Sequence, residues 1–285
     1  MKRALKDKLL KAPKPKPPAK KPPKNNMKSA EQRWSAEHSR QFNQHYNTMR
    51  GYVRREVTRK NLSAELNDFL KFPRHVIDVQ GAQGDDARWL AAQHHDAVLV
   101  DLDETALAEA HQHAYPVLED ILHGDTETAI ARYGTGTFDL GLSHGALLYS
   151  PSPEEEIRQL GSLLGSGGYL SLLTAGIFGK IQRFERSGQS AALTKLLATG
   201  KYTNNLDLEA KAYLPQDVAA MLESNGFEVA AWFGVRIHSD TDERPLDDVP
   251  TFHRNRILDH EIRSSRDPLL RPSGQMLHFI ARKNT

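Results

Sequence analysis

Val76-Ile77-Asp78-Val79-Gln80-Gly81-Ala82-Gln83-Gly84-Asp85 is an apolar run that passes through a turn of small residues into a helix-forming stretch. Twenty positions after Gly81 comes Asp101, within the next apolar run, Ala97-Val98-Leu99-Val100-Asp101-Leu102-Asp103. Strand, turn, helix, strand is the βαβ unit, whose right-handed crossover builds a parallel sheet. Small residues in the first turn let the backbone approach a ligand, and an acid at the tip of the second strand can take both ribose hydroxyls. A dinucleotide needs the spacing G-x-G-x-x-G to seat its pyrophosphate on the helix N-terminus, and that spacing is absent. Asp78, just before the turn, would repel a pyrophosphate but tolerate a ligand with a sulfonium, an ammonium and no phosphate. S-adenosylmethionine is such a ligand, and with the Gly167-Gly168 turn it favours a methyltransferase over a dehydrogenase. A Rossmann-like domain whose ligand site has decayed stays open as an alternative.

Working outward, the alternation continues on the C-terminal side. Helices are expected over 85–93, 104–113 and 126–133, and strands over 75–80, 97–103, 117–122 and 138–144. Ser152-Pro153-Glu154-Glu155 opens a further helix that ends at the glycines of 165–168, followed by a strand over 169–175. A helix over 215–225, stopped by Gly226, and strands over 227–237 and 275–282 complete the series. The sum is an α/β fold: a Rossmann-like, doubly wound sheet of seven strands. Residues 176–213 and 238–274 fall outside the alternation and read as a helical and loop cap on the substrate side. Upstream, Trp34, Phe42, Tyr46, Tyr52, Val53, Val57, Leu62, Leu66 and Leu70 recur at helical spacing, so 29–70 reads as helices preceding the sheet.

The formal net charge of +2 conceals an asymmetry. Residues 1–28 carry a dense set of lysines with Asp7 as the only acid, and residues 12–26 alternate lysine with proline, which sustains no helix and offers nothing to bury. A disordered basic tail, 1–28, therefore precedes one catalytic domain, 29–285. The tail reads either as an arm that neutralises RNA phosphates or as a solubilising extension upstream of a start at Met27. No apolar window suits a membrane span or signal peptide, and cysteine is absent, which fits a cytoplasmic address. The 13 histidines show no metal-binding spacing, so no metal is expected.

Beyond the nucleotide turn, six further stretches stand out: Tyr46-Asn47-Thr48-Met49-Arg50-Gly51-Tyr52-Val53-Arg54, Asp139-Leu140-Gly141-Leu142-Ser143-His144, Leu163-Leu164-Gly165-Ser166-Gly167-Gly168-Tyr169-Leu170-Ser171-Leu172, Gly234-Val235-Arg236, Glu261-Ile262-Arg263 and His278-Phe279-Ile280-Ala281-Arg282-Lys283. With these the sequence resembles the class I S-adenosylmethionine-dependent methyltransferases, and among them the bacterial enzymes that esterify 5-carboxymethoxyuridine at the wobble position of tRNA. The resemblance runs from about Gln41 to the C-terminus. It implies that Arg54 contacts the methionine carboxylate of the cofactor, that Gln80 and Gly81 line its amino-acid end, and that Asp101 holds the ribose. It further implies that Asp125 and Thr126 border the adenine and that His144 sits beside the methyl donor. The sequence departs from the family in its glycine-poor turn, with Gln80 and Ala82 at glycine positions, and in the stretches after His144 and Arg236.

Methyl transfer to a carboxylate needs no general base, because the nucleophile is already an anion. It needs alignment, exclusion of water and a cation to hold the acceptor. A guanidinium fits that task, and Arg236 is the candidate, although a surface ion pair explains it equally well. Lys180, Arg183 and Lys201 read either as contacts to RNA phosphates or as a solvated helix face. His144 reads either as an orienting group for the cofactor or as a hydrogen-bonded strand end. Two other functions stay open: a methyltransferase acting on a small molecule, marked by a closed apolar cap mouth, and a non-catalytic RNA-binding protein without cofactor affinity.

Overall fold

The computed structural model describes residues 36–112 and 115–285. The expected basic tail and Trp34 lie outside the described residues. Two helices come first, α1 (Ala36–Tyr46) and α2 (Met49–Glu65). Thr48 caps α2 by accepting from the Gly51 amide at 3.3 Å. The orphan amides of Met49 and Arg50 donate to the carbonyls of Arg244 and Asp242, both at 2.9 Å, so a distant strap closes the end of α2.

The alternating region then gives β1 (His75–Val79), α3 (Asp85–Ala91), β2 (Asp96–Asp101), α4 (Glu104–Gln112), β3 (Asp120–His123), α5 (Thr126–Tyr133), β4 (Phe138–His144), α6 (Pro153–Leu163) and β5 (Leu164–Gly176). After the cap elements α7 (Ile177–Arg186), α8 (Ser190–Thr199), β6 (Lys201–Thr203) and β7 (Glu209–Tyr213) come α9 (Pro215–Ser224), β8 (Phe227–Val235), α10 (Thr251–Arg266) and β9 (Met276–Lys283). The sheet runs β3-β2-β1-β4-β5 in parallel, and β9 then pairs antiparallel with β5 and β8 antiparallel with β9. These are the seven strands expected from sequence.

Two features depart from the expectation. The stretch 176–213 contains a hairpin, β6 with β7, and β7 continues the sheet by pairing with Ala175 and Gly176 at the end of β5. The glycines of 165–168 lie inside β5 rather than at a helix end: Phe138 pairs with Leu164 and Leu140 with Tyr169, so the extra residues bulge out of the ladder.

Strands buried on both faces read as near-continuous apolar runs, and period-two alternation sends neighbours to opposite sides. Ile77, Val79, Val98, Val100, Leu170 and Leu172 face α6 and α9 in one core. Val76, Leu99, Leu140 and Leu142 face α3, α4 and the end of α2 in the other. The strand order reverses between β1 and β4, which opens a crevice at their carboxyl ends. The candidate site lies there.

Candidate active site

A cavity of about 1210 Å³ opens over the carboxyl ends of β1, β2 and β4, with α1, α2 and the cap elements as its other walls. That exceeds the space one small ligand fills, roughly 300–1,000 Å³, so a cofactor and an acceptor group can share it. Arg54, Gln80, Asp101, Asp125, Thr126, His144 and Arg236 all line it. Asp78 and Gly81 do not.

Alternation explains the exception. Asp78 points to the same side of β1 as Val76, beneath α3, where it is 2% exposed and accepts from the Ala87 amide. Burial, with Asp86 and Asp101 nearby, raises its carboxyl well above the usual range. Its charge is thus not presented to a ligand, which removes the basis on which phosphate exclusion was read from the sequence. Gly81 is small for a different reason from the one expected: a β-carbon there would stand 2.5 Å from the Asp78 carboxylate and 2.7 Å from Leu99 Cδ1. The space is needed underneath the turn.

The turn itself supplies a better argument against phosphate. Helix α3 begins with Asp85 and Asp86, so the positive end of its dipole is already answered by protein carboxylates. Gln80 and Ala82, at the glycine positions of the family, hold φ of 56° and 51°. The chain therefore keeps the left-handed backbone that glycine would adopt freely, at a cost of about 1–2 kcal/mol per residue.

Asp101 is 8% exposed, and its two oxygens accept from the amides of Ala82 at 2.7 Å and Asp103 at 2.8 Å. Each oxygen keeps a further lone pair for a ligand hydroxyl. Burial raises its carboxyl above the usual range in spite of those bonds. Asp125 caps α5, accepting at 2.8 Å from Thr128 N, and the Thr126 hydroxyl donates to Glu156 at 2.9 Å. Arg54 donates from Nη2 to the His144 carbonyl at 2.6 Å and lies over the rings of Phe42 and Tyr46.

The His144 ring is held at both nitrogens, Nδ1 at 2.9 Å from Asp86 Oδ2 and Nε2 at 2.9 Å from Ser171 Oγ. Ser171 Oγ is in turn 2.8 Å from His278 Nε2. The chain crosses β4, β5 and β9 on one face of the sheet. Burial would raise the Asp86 carboxyl, yet the bond and charge of His144, with Arg59, hold it well below the usual range. Burial lowers His278 well below the usual imidazole range, so its ring is neutral. Ser171 and His278 stand within quoted stretches, but no role was read for either from the sequence. Their signal was there: a polar residue inside a buried apolar strand requires a partner.

At the cap end, Arg236 follows β8 with φ 58° and is largely but not fully buried, its Nη2 3.2 Å from Asp240 Oδ1. The ion pair read as the alternative is present, though it is little exposed. Glu261 of α10, fully buried, organises this strap by accepting from the amides of Ile237, His238 and Ser239 at 2.8–2.9 Å and from the Ser239 hydroxyl at 2.6 Å. Lys180 and Arg183 line the cavity rather than a solvated helix face, whereas Lys201 is exposed and paired with Glu209 at 2.8 Å. Arg50, part of a quoted stretch but given no role there, also reaches the cavity and pairs with Glu243 at 2.8 Å.

The comparisons agree with this geometry. A family model described as a methyltransferase domain matches residues 77–172, the span from β1 into β5. The tRNA 5-carboxymethoxyuridine methyltransferase of Escherichia coli strain K12 is 25% identical over 246 residues, which is 84% of this chain and 91% of that one. Among solved structures, the 1,6-didemethyltoxoflavin-N1-methyltransferase of Burkholderia thailandensis, with its substrate and S-adenosylhomocysteine bound, aligns over 93% of each chain with a TM-score of 0.54 at 16% identity. A methyltransferase from Methanosarcina mazei gives 0.55 at 14% identity, over 77% of this chain and 96% of that one. At such identities the two structures speak to the fold. With a methyltransferase domain matched from β1 into β5 and a fold of the Rossmann-like methyltransferase type around it, the chain is an S-adenosylmethionine-dependent methyltransferase.

Proposed function

We propose that this enzyme methylates the carboxylate of 5-carboxymethoxyuridine at the wobble position of tRNA. One observation carries the reading. The acceptor end of the cavity gathers Arg50, Lys180, Arg183 and Arg236 around Asp240 and Glu243, an excess of positive charge that suits an anionic acceptor. The opposite end is acidic, with Asp101, Asp103 and Asp125. The relative from Escherichia coli, whose name carries the same acceptor, points the same way.

In this reading S-adenosylmethionine supplies an electrophilic methyl group on a sulfonium. Asp101 takes the ribose hydroxyls, Asp125 and Thr126 border the adenine, the backbone at Gln80 lines the amino-acid end, and Arg54 takes the methionine carboxylate. Asp78 and Gly81 act beneath the turn and shape it. An acceptor carboxylate, with a pKa near ~4, is ionised at neutral pH and asks for no base. His144, bonded at both ring nitrogens, accordingly positions the end of β4 and the carbonyl that holds Arg54. Arg236 presents the acceptor and screens its charge during approach without removing it.

The test is transfer of labelled methyl from S-adenosylmethionine to tRNA carrying 5-carboxymethoxyuridine, beside the same tRNA lacking the modification. Transfer to the first alone is expected, as is a fall in Arg236→Lys with cofactor binding retained, and a larger fall in Arg236→Ala. Transfer to neither tRNA by a folded, cofactor-bound enzyme would sink the acceptor. Full activity of the alanine variant would sink only the role of Arg236.

A further inference from the structure

Helix α7 carries a buried lysine into the cavity without a carboxylate of its own. Lys180 is 6% exposed. Its Nζ donates to Gln275 Oε1 at 3.2 Å and lies 5.0 Å from the centroid of the Tyr202 ring. Gln275 is fixed in turn, since its Nε2 donates to the Gly179 carbonyl at 2.6 Å. The charged groups that act on Lys180 are Arg236, Arg183, Arg50 and Asp240. Asp240 already serves Arg236 and Arg183, each at 3.2 Å. An ammonium has three donors, and the one neutral acceptor here takes one of them. Arg236, the cation that acts most strongly on Lys180, has a buried Nε with no hydrogen-bond partner. One buried and one largely buried cation with donors to spare, both lining one cavity, want an anion between them.

We propose that Lys180 and Arg236 form a two-cation cradle for the acceptor's carboxylate, and that Lys180 couples acceptor binding to uptake of a proton. The inference rests on the reading of the acceptor as an anion and adds a residue and a control to it. Burial first, and then the charge of Arg236, against the opposing pull of Asp240, push the ammonium of Lys180 down to about 7. Near neutrality the empty cradle therefore holds Lys180 in both forms. A carboxylate beside it favours the ammonium, so binding draws a proton, and affinity falls as pH rises through and above the value of the empty site, by up to roughly tenfold per pH unit.

The experiment uses phenoxyacetate, a carboxymethoxy group on an aromatic ring, titrated calorimetrically into the full chain saturated with S-adenosylhomocysteine. Its neutral counterpart 2-phenoxyethanol serves as the control. Wild type is expected to bind phenoxyacetate and not the alcohol, with affinity that declines from pH 7 to pH 9 and with a proton taken up, seen as a heat that varies with the ionisation enthalpy of the buffer. Lys180→Met should bind phenoxyacetate about ten- to a hundredfold more weakly and without pH dependence. Lys180→Arg, charged throughout the range, should bind without pH dependence as well, and better than the methionine variant. Affinity for S-adenosylhomocysteine, measured in each variant, reports folding and should not move. Equal binding of phenoxyacetate by wild type and Lys180→Met, or none by wild type, would overturn the cradle. Wild-type binding with the stated pH dependence but no methylation of any tRNA would leave the cradle standing and remove the tRNA. Unaltered tRNA methylation and KM in Lys180→Met would do the reverse.

Discussion

Asp78 and Asp101 end neighbouring strands and attend to one turn in opposite ways. Asp101 reaches over the turn to the Ala82 amide and stays on the cavity wall, whereas Asp78 reaches beneath it to α3. Asp101→Ala should therefore weaken S-adenosylhomocysteine binding by about 2–3 kcal/mol, the worth of a charge-assisted pair of hydrogen bonds, as read by calorimetry. Asp78→Asn should leave that affinity in place. Its effect belongs to stability. A carboxyl raised in the folded state favours folding at low pH and loses that contribution as pH rises through its folded value. Urea midpoints of Asp78→Asn should thus gain on wild type as pH climbs above about 4, the carboxyl value of the unfolded chain, and stop gaining once the folded carboxyl has ionised. A variant that loses the cofactor at every pH would return Asp78 to the ligand. The sequence disclosed that an acid precedes the turn, but which side of the strand it faces depends on register and on the helix packed above it.

At the scale of elements, the turn and the strap each position one end of the cavity. Ala82→Gly should stabilise the protein by about 0.5–1 kcal/mol, because glycine enters the left-handed region without the steric penalty, offset by the freedom it brings to the unfolded chain. Denaturant midpoints would show it. Glu261→Ala strips three buried amides and a hydroxyl of their acceptor, so a loss on the order of 3–4 kcal/mol is expected, with acceptor KM rising and cofactor affinity less affected. The parallel strands were legible in the sequence because both their faces are buried, and α5 and β4 stand at the bounds read from it. The hairpin of β6 and β7 was not, since Lys201-Tyr202-Thr203 is short, half exposed and gains its meaning only by pairing with Glu209–Tyr213. The role of Lys180 was hidden for a related reason: basic residues on a helix look alike until the helix is docked, and α7 turns this one inward. Glu261 belonged to a quoted motif, yet its partners lie more than twenty residues upstream, beyond any local pattern.

Across the whole molecule the cavity has acidic residues over the sheet and basic residues from α2, α7 and the strap after β8. In the proposed reading the sheet holds the methyl donor and the cap selects the acceptor, which is how one fold serves many acceptors. No helix among the described residues is long and apolar enough to cross a membrane. Residues 1–28, with their lysines, add a proposed electrostatic contact to tRNA. Removing them should leave S-adenosylhomocysteine affinity unchanged, weaken tRNA binding and flatten its dependence on salt, and equal salt slopes would assign the segment another purpose. The central claim, a carboxylate on a tRNA base as methyl acceptor, is tested most directly in the cell. Nucleosides from total tRNA of a strain lacking this gene, separated and weighed by mass spectrometry, should show 5-carboxymethoxyuridine accumulating at the expense of its methyl ester, with the ester restored by the wild-type gene and not by Arg236→Ala. An undiminished ester in the deletion strain would contradict the account.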